Sequence, residues 1–247
     1  MNRDTSFDDV HDERGWILER RSVLALAGVS AALLAHRGRA QSPSLAEPMP
    51  RPAPVPLTLA EFLALANPLA KELVADTSPL GQDRYLLALA ALAVRLTSVP
   101  VPEMRAQKSP GTFLGANDGG ETFNVLHWRM EPNAVIRDHP HMYGNVVTLV
   151  LDGEVVVRNH EVLGERDWDA KGTFQVRRTC EQILRPGGTN LVSLERNYTH
   201  GFRTGAVGAR GLDITTRILP RRDSPVLELG SKPLDESRGI YEASWAY

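Results

Sequence analysis

The chain has 247 residues, with 28 basic and 30 acidic side chains and a formal net charge of −2. Nothing in a balance this near neutral points to nucleic acid or to an anionic membrane surface as a partner. Cys180 is the only cysteine, which excludes an internal disulfide and leaves stability to packing.

Residues 1–40 read as a leader rather than as fold. Arg20-Arg21 precedes Ser22-Val23-Leu24 and an apolar stretch to Ala35, and Gly38-Arg39-Ala40 closes it with small residues at cleavage-type positions. This resembles a bacterial twin-arginine export signal, which implies a periplasmic protein and the twin-arginine machinery as a partner. Val23 to Ala35 falls well short of the roughly 20 apolar residues that span a bilayer, so no stable membrane anchor is expected. The leader holds six basic and six acidic residues, so its removal leaves the net charge at −2.

Residues 41–57, rich in Pro, Ser and Ala, predict an extended tether. Residues 58–98 predict a helical segment packed on a β-rich barrel. Thr58 with Glu61 forms a capping box, Leu59, Phe62, Leu63, Leu65 and Ala66 supply an apolar stripe, and Asp83 to Leu96 reads as a second helix. Pro68 and Pro79-Leu80-Gly81 punctuate the segment.

From Thr112 the pattern turns to β, and many short strands with Gly and Pro turns predict a sandwich or barrel over residues 99–247, with a C-terminal tail from Pro220 whose aromatic end lies on the surface. Strands are expected at Thr122–Met130, Asn145–Leu151, Glu154–Val162, Phe174–Val176, Glu181–Leu184, Asn190–Leu194, Thr199–Arg203 and Leu212–Leu219. Asp152-Gly153 predicts a hairpin between the second and third of these.

His139 and His141 stand two apart beside this β run, a spacing that points both imidazoles to one face of an extended strand, where one metal ion can meet both. If the strand is unbroken, Arg137, Tyr143 and Asn145 share that face; Arg196, Tyr198 and Phe202 share a face with His200. Pro140, which belongs at an edge or bulge, is the place where this alternation can slip. His127 points to either side of its strand, His160 reads as exposed, and Cys180 as a small buried residue.

His-x-His, a glycine turn, the Pro186-Gly187-Gly188 turn and the later His200 resemble the ligand order of a cupin barrel, over roughly Phe123 to Leu219. The resemblance implies a mainly β, cupin-type barrel (double-stranded β-helix) with an N-terminal helical segment, and a metal held by His139, His141 and His200. No glutamate follows the histidine pair, where Asn145 and Val146 stand. A three-histidine set without the acid is similar to the thiol dioxygenases: cysteine dioxygenase, aminoethanethiol dioxygenase and the plant cysteine oxidases. Asp138-His139-Pro140 with Met142, and Gly211-Leu212-Asp213-Ile214, resemble segments of the latter two. Matching on Asp-His-Pro would put Arg137 at the first ligand position, but a permanently protonated guanidinium cannot ligate a metal, so the His-x-His register is taken.

The resemblance implies ferrous iron, Fe(2+), as cofactor, a small thiol and dioxygen as substrates, and a sulfinate product formed without an external reductant. Arg137 or Arg196 would meet a substrate carboxylate, and Tyr143 and Tyr198 would complete the pocket with Arg137 as catalytic residues. Two other classes fit the same residues: a non-oxidative metal cupin such as an isomerase, lyase or hydrolase, and a non-catalytic periplasmic binding module.

Overall fold

The structure, a computed structural model, describes residues 55–119, 122–220 and 224–247. The leader, and the tether up to residue 54, lie outside the described residues. In chain order the elements are β1 (Leu57–Thr58), α1 (Leu59–Ala75), α2 (Pro79–Ala93), β2 (Leu96–Ser98), β3 (Arg105–Ala106), β4 (Thr112–Gly119), β5 (Phe123–Met130) and β6 (Val135–Pro140). They continue with β7 (Gly144–Val162), β8 (Phe174–Leu184), β9 (Thr189–Val192), β10 (Thr199–Arg217), β11 (Val226–Asp235) and β12 (Ile240–Ala246).

Two antiparallel sheets share the long strands β7 and β10. The first half of β7 and the second half of β10 belong to a sheet ordered β9-β7-β10-β5-β4-β3. Their other halves belong to a sheet ordered β11-β12-β8-β7-β10-β6. Side chains from both sheets meet in one buried cluster, including Trp128 and Val150 from the first and Val157, Leu184 and Phe202 from the second. This is the mainly β, cupin-type double-stranded β-helix that the resemblance implies. Its two central strands are rich in β-branched residues, which suit a pleated surface packed on both sides.

The expected hairpin at Asp152-Gly153 is a correction. β7 runs through it without reversing, and the same bend takes it from one sheet to the other. Gly153 adopts φ +74°, and its N–H is held by Asp152 Oδ1 at 2.9 Å. An Asp-Gly pair can serve a reversal or a bulge, and here β10 accompanies β7 on both sides of the bend. The ladder slips twice there: β10 carries three extra residues between Thr204, opposite Val155, and Ala209, opposite Gly153, and β7 carries one between Asp152, opposite Arg210, and Val150, opposite Gly211. For the same reason the segments expected at Thr199–Arg203 and Leu212–Leu219 are one bent strand, β10, and those at Phe174–Val176 and Glu181–Leu184 are one strand, β8.

The helices cover the outer face of the first sheet. Thr58 and Glu61 make the reciprocal capping box. Pro68 does not end α1, which continues to Ala75. The hydrogen bond lost at its imide is offset by burial of Phe62, Ala66, Ala70 and Leu73. Pro79 opens α2 at its first turn behind the Ser78 cap. Polar ties then pin α2 to the barrel: Tyr85 Oη to Thr216 Oγ1 at 2.5 Å, Leu194 N–H to Gln82 Oε1 at 3.1 Å, and Arg196 to Asp83 at 2.8 Å. None of the described helices is long and apolar enough to cross a membrane.

The C-terminal tail is more than a surface flap. β11 and β12 pair with each other and extend the second sheet through β8, while Trp245 and Tyr247 donate to the carbonyls of Asp167 and Trp168.

Candidate metal centre

Three imidazoles converge where β6 and β10 meet. His139 lies on β6 directly opposite His200 on β10, and His141 follows in the turn after β6, its backbone N–H held by the Tyr198 carbonyl at 2.9 Å. Ring centroids are 5.1 Å apart for His139 and His141, 4.9 Å for His139 and His200, and 4.6 Å for His141 and His200. One nitrogen from each lies within 4.8 Å of the others. His200 is fully buried, His141 nearly so, and His139 keeps one edge on a cavity.

Burial holds all three imidazoles below the ordinary histidine range, most strongly His141 and His200, where neighbouring rings add to it. The rings are therefore neutral donors. His139 Nδ1–H donates to the Arg137 carbonyl at 2.9 Å, which leaves Nε2 as a lone pair. His141 Nε2 and His200 Nε2 face each other at 2.8 Å. Two lone pairs at that distance repel unless a proton or a cation lies between them, and a cation serves both at once. The donor set and its spacing therefore fit a single divalent ion of the kind imidazole favours.

The face-parity reading of Arg137 fails for a local reason. Between His200 and Phe202, β10 advances two residues while β6 goes from His139 to Ile136, so β6 carries one extra residue in a bulge. Ile136 and His139, three apart, both line the cavity. Arg137 is turned out to solvent, 3.9 Å from Glu228 on β11. The slip falls at residues 137–138 rather than at Pro140.

The other expected pocket residues divide. Tyr143 stays close, its ring 6.4 Å from that of His141. Asn145 is buried and accepts from the Leu194 N–H, a packing role. Tyr198 points to a different neighbourhood: its hydroxyl bonds the Val162 backbone, Trp168 meets its ring edge-on, and Arg166 lies over it. Burial raises that hydroxyl to about 12. Arg196 is exposed and paired with Asp83. Phe202 does reach the cluster, 4.6 Å from the His200 ring and stacked on Trp128.

Beside the histidines is a cavity of about 340 Å³. Its walls are mainly Leu114, Leu126, Trp128, Ile136 and Phe202, and Gln107, Lys108 and Ser109 bring polar groups to it. Asp213 is the residue sequence reasoning passed over as part of a β pattern. Its carboxylate lies 3.9 Å from His200 Nε2, accepts the Thr148 hydroxyl at 2.6 Å and lines the cavity. Burial pushes it up to about 7, against the Thr148 hydrogen bond. An acid inside the apolar run Gly211-Leu212-Asp213-Ile214 was the available signal.

Two further expectations change. His160 is 1% exposed, with Nδ1 3.1 Å from Asp138 Oδ1; its polar neighbours in sequence gave no sign of a partner 22 residues away. Cys180 is half-buried rather than in the core. His127, left open by the sequence, lies beside Arg210 and Val101, away from the three-histidine group.

No family model matches the chain, and no curated protein matches it. Among solved structures it is similar to the polyketide cyclase RemF from Streptomyces resistomycificus, at 20% identity over 53% of this chain and 82% of that one, with a TM-score of 0.38. It is also similar to KdgF from Halomonas sp., at 17% identity over 49% and 88% with a TM-score of 0.34. A third is a cupin superfamily protein from Desulfitobacterium hafniense, at 14% identity over 53% and 88% with a TM-score of 0.32. The strand pairing, not these likenesses, carries the assignment of the fold.

Proposed function

We propose that the chain is a metal-dependent oxygenase that converts a small thiol to a sulfinate, both atoms of dioxygen ending on sulfur. The observation that supports it is the convergence of three neutral imidazoles, with no carboxylate among them, of which His141 and His200 are buried and His139 stands on the wall of a small, mainly apolar cavity. Ferrous iron held by His139, His141 and His200 would supply adjacent open positions for a thiolate and dioxygen.

The chain's own residues provide the rest. The Arg137 carbonyl fixes the tautomer of His139. Leu114, Leu126, Ile136 and Phe202 keep water from the substrate's hydrocarbon part. Lys108, the one lysine or arginine among the residues lining the cavity, takes the place proposed from sequence for Arg137 in meeting a substrate carboxylate. Asp213, titrating near neutrality, can take up the thiol proton or return one at its carboxylate oxygen. The leader adds the proposal that this chemistry is periplasmic.

Asp213 also favours a second reading, a non-oxidative enzyme in which its carboxyl moves a proton on the substrate. Oxygen uptake separates the two. Iron-loaded protein given cysteamine, 3-mercaptopropionate, cysteine or a peptide with an N-terminal cysteine should consume dioxygen in proportion to thiol. Full loading with no thiol-dependent uptake from any of the four would overturn the oxygenase reading and leave the second.

A further inference from the structure

His160 is outside the three-histidine group, yet its bonds single out the residues that precede two of its members. Its side chain reaches Asp138, with Nδ1 3.1 Å from Oδ1, and Asp138 precedes His139. Its backbone N–H donates to Thr199 Oγ1 at 3.1 Å, and its carbonyl accepts from the same hydroxyl at 3.0 Å. Thr199 precedes His200. One residue on β7 therefore ties down the approach to a ligand on β6 and to another on β10.

The need for such a tie comes from the bulge. The ladder between β6 and β10 pairs His139 and Ile136 but skips residues 137 and 138, so the direction of His139 is not set by sheet hydrogen bonds alone. Asp138 occupies the space that a side chain at position 201 would take. A Cβ on Gly201 would stand 2.8 Å from Asp138 Cγ and 2.9 Å from its backbone nitrogen. Gly201 is the next residue after His200, so the close approach falls between the two ligands. A partly buried carboxylate facing a buried imidazole is costly unless the two bond each other, which argues for a defined arrangement rather than loose packing.

The geometry points to the His160 side chain as a positioning group of the metal centre: by holding Asp138 it aims His139 at the ion shared with His200, while the Thr199 bonds belong to the backbone of residue 160 and hold the approach to His200 whatever side chain stands there. This rests on the three-histidine reading and adds that a residue outside the ligand set controls affinity. It replaces the reading of His160 as an exposed residue with a role at the metal centre.

The test is titration of the full chain, freed of metal, with Co(II), followed by its ligand-field absorption. His160→Leu should bind Co(II) about tenfold to a hundredfold more weakly, the usual cost of losing a residue that orients a ligand, and with a shifted band. His160→Gln, whose amide can still donate to Asp138, should recover most of the affinity and the native band. Gly201→Ala should weaken binding by displacing Asp138. If wild type and His160→Leu bind equally with the same band, the positioning role falls and the three-histidine reading stands. If wild type binds no Co(II), the reading falls and the role with it. Should metal-free His160→Leu lack the folded far-UV circular dichroism, Asp138→Leu decides: it keeps about the same volume and can accept no hydrogen bond from the imidazole. Unchanged affinity in that variant, or loss of fold there too, overturns the inference.

Discussion

The strands β5, β7 and β10 show two unlike faces to their surroundings. Towards the helices they turn Phe123, Val125, Val147, Leu149, Leu212 and Ile214, none more than 2% exposed. One residue along on the same strands, Leu126, Trp128, Thr148 and Asp213 lie at or near the cavity. The first set contains no polar side chain; the second contains a carboxyl poised near neutrality and the hydroxyl bonded to it. Alternation thus lets one sheet carry stability on its outer face and chemistry on its inner face, and the two faces should respond separately to substitution.

The largest expected effect is on the helix-covered face. Phe123→Ala should cost about 3–5 kcal/mol, the range for deleting a fully buried aromatic ring, as read by chemical denaturation. The protein that remains folded should bind metal as wild type does. Loss of metal from folded Phe123→Ala would break the separation of the two faces.

Asp213→Asn probes the inner face and should act with the opposite sign. With its folded pKa raised to about 7, the Asp213 carboxyl keeps a proton that the unfolded chain has lost above about pH 4. Its contribution to stability is therefore full below that pH and is lost as pH rises towards 7. In metal-free protein the asparagine variant should be more stable than wild type above pH 7, by on the order of 3–4 kcal/mol, and no more stable below pH 4. Thermal unfolding across that pH range checks it; a constant difference would mean that the carboxyl is not titrating in the fold. A bound dication should shrink the gain, since it favours the ionised acid.

The smallest effect belongs to the exposed Lys108. Contacts at so wet a position contribute up to about 1 kcal/mol, so Lys108→Gln should lower kcat/KM for 3-mercaptopropionate about fivefold or less. Cysteamine, which has no carboxylate, should be unaffected, and equal losses for both would remove Lys108 from recognition.

The contrast between the faces also explains which features were legible in the sequence. Strand identity and the His139/His141 spacing were legible because period-two alternation and β-branched composition are local properties. Arg137 was misplaced because one extra residue in β6 exchanges the faces beyond it, and nothing between Val135 and His139 announces a bulge. Asp152-Gly153 has the composition of a reversal, and only the course of β10 alongside makes it a bend. His160 looked exposed between Asn159 and Glu161, since its partner Asp138 comes from another strand. Asp213 reads as part of a strand, but its nearness to His200 depends on where β5 and β7 flank β10.

The central claim is that one metal ion is held by His139, His141 and His200. Elemental analysis of the purified full chain, beside its three single alanine variants, tests it most directly. The account predicts about one ion per chain in wild type and strong loss from each of the three variants. Full occupancy in folded His141→Ala or His200→Ala, or a wild-type protein that takes up no divalent metal, would contradict it.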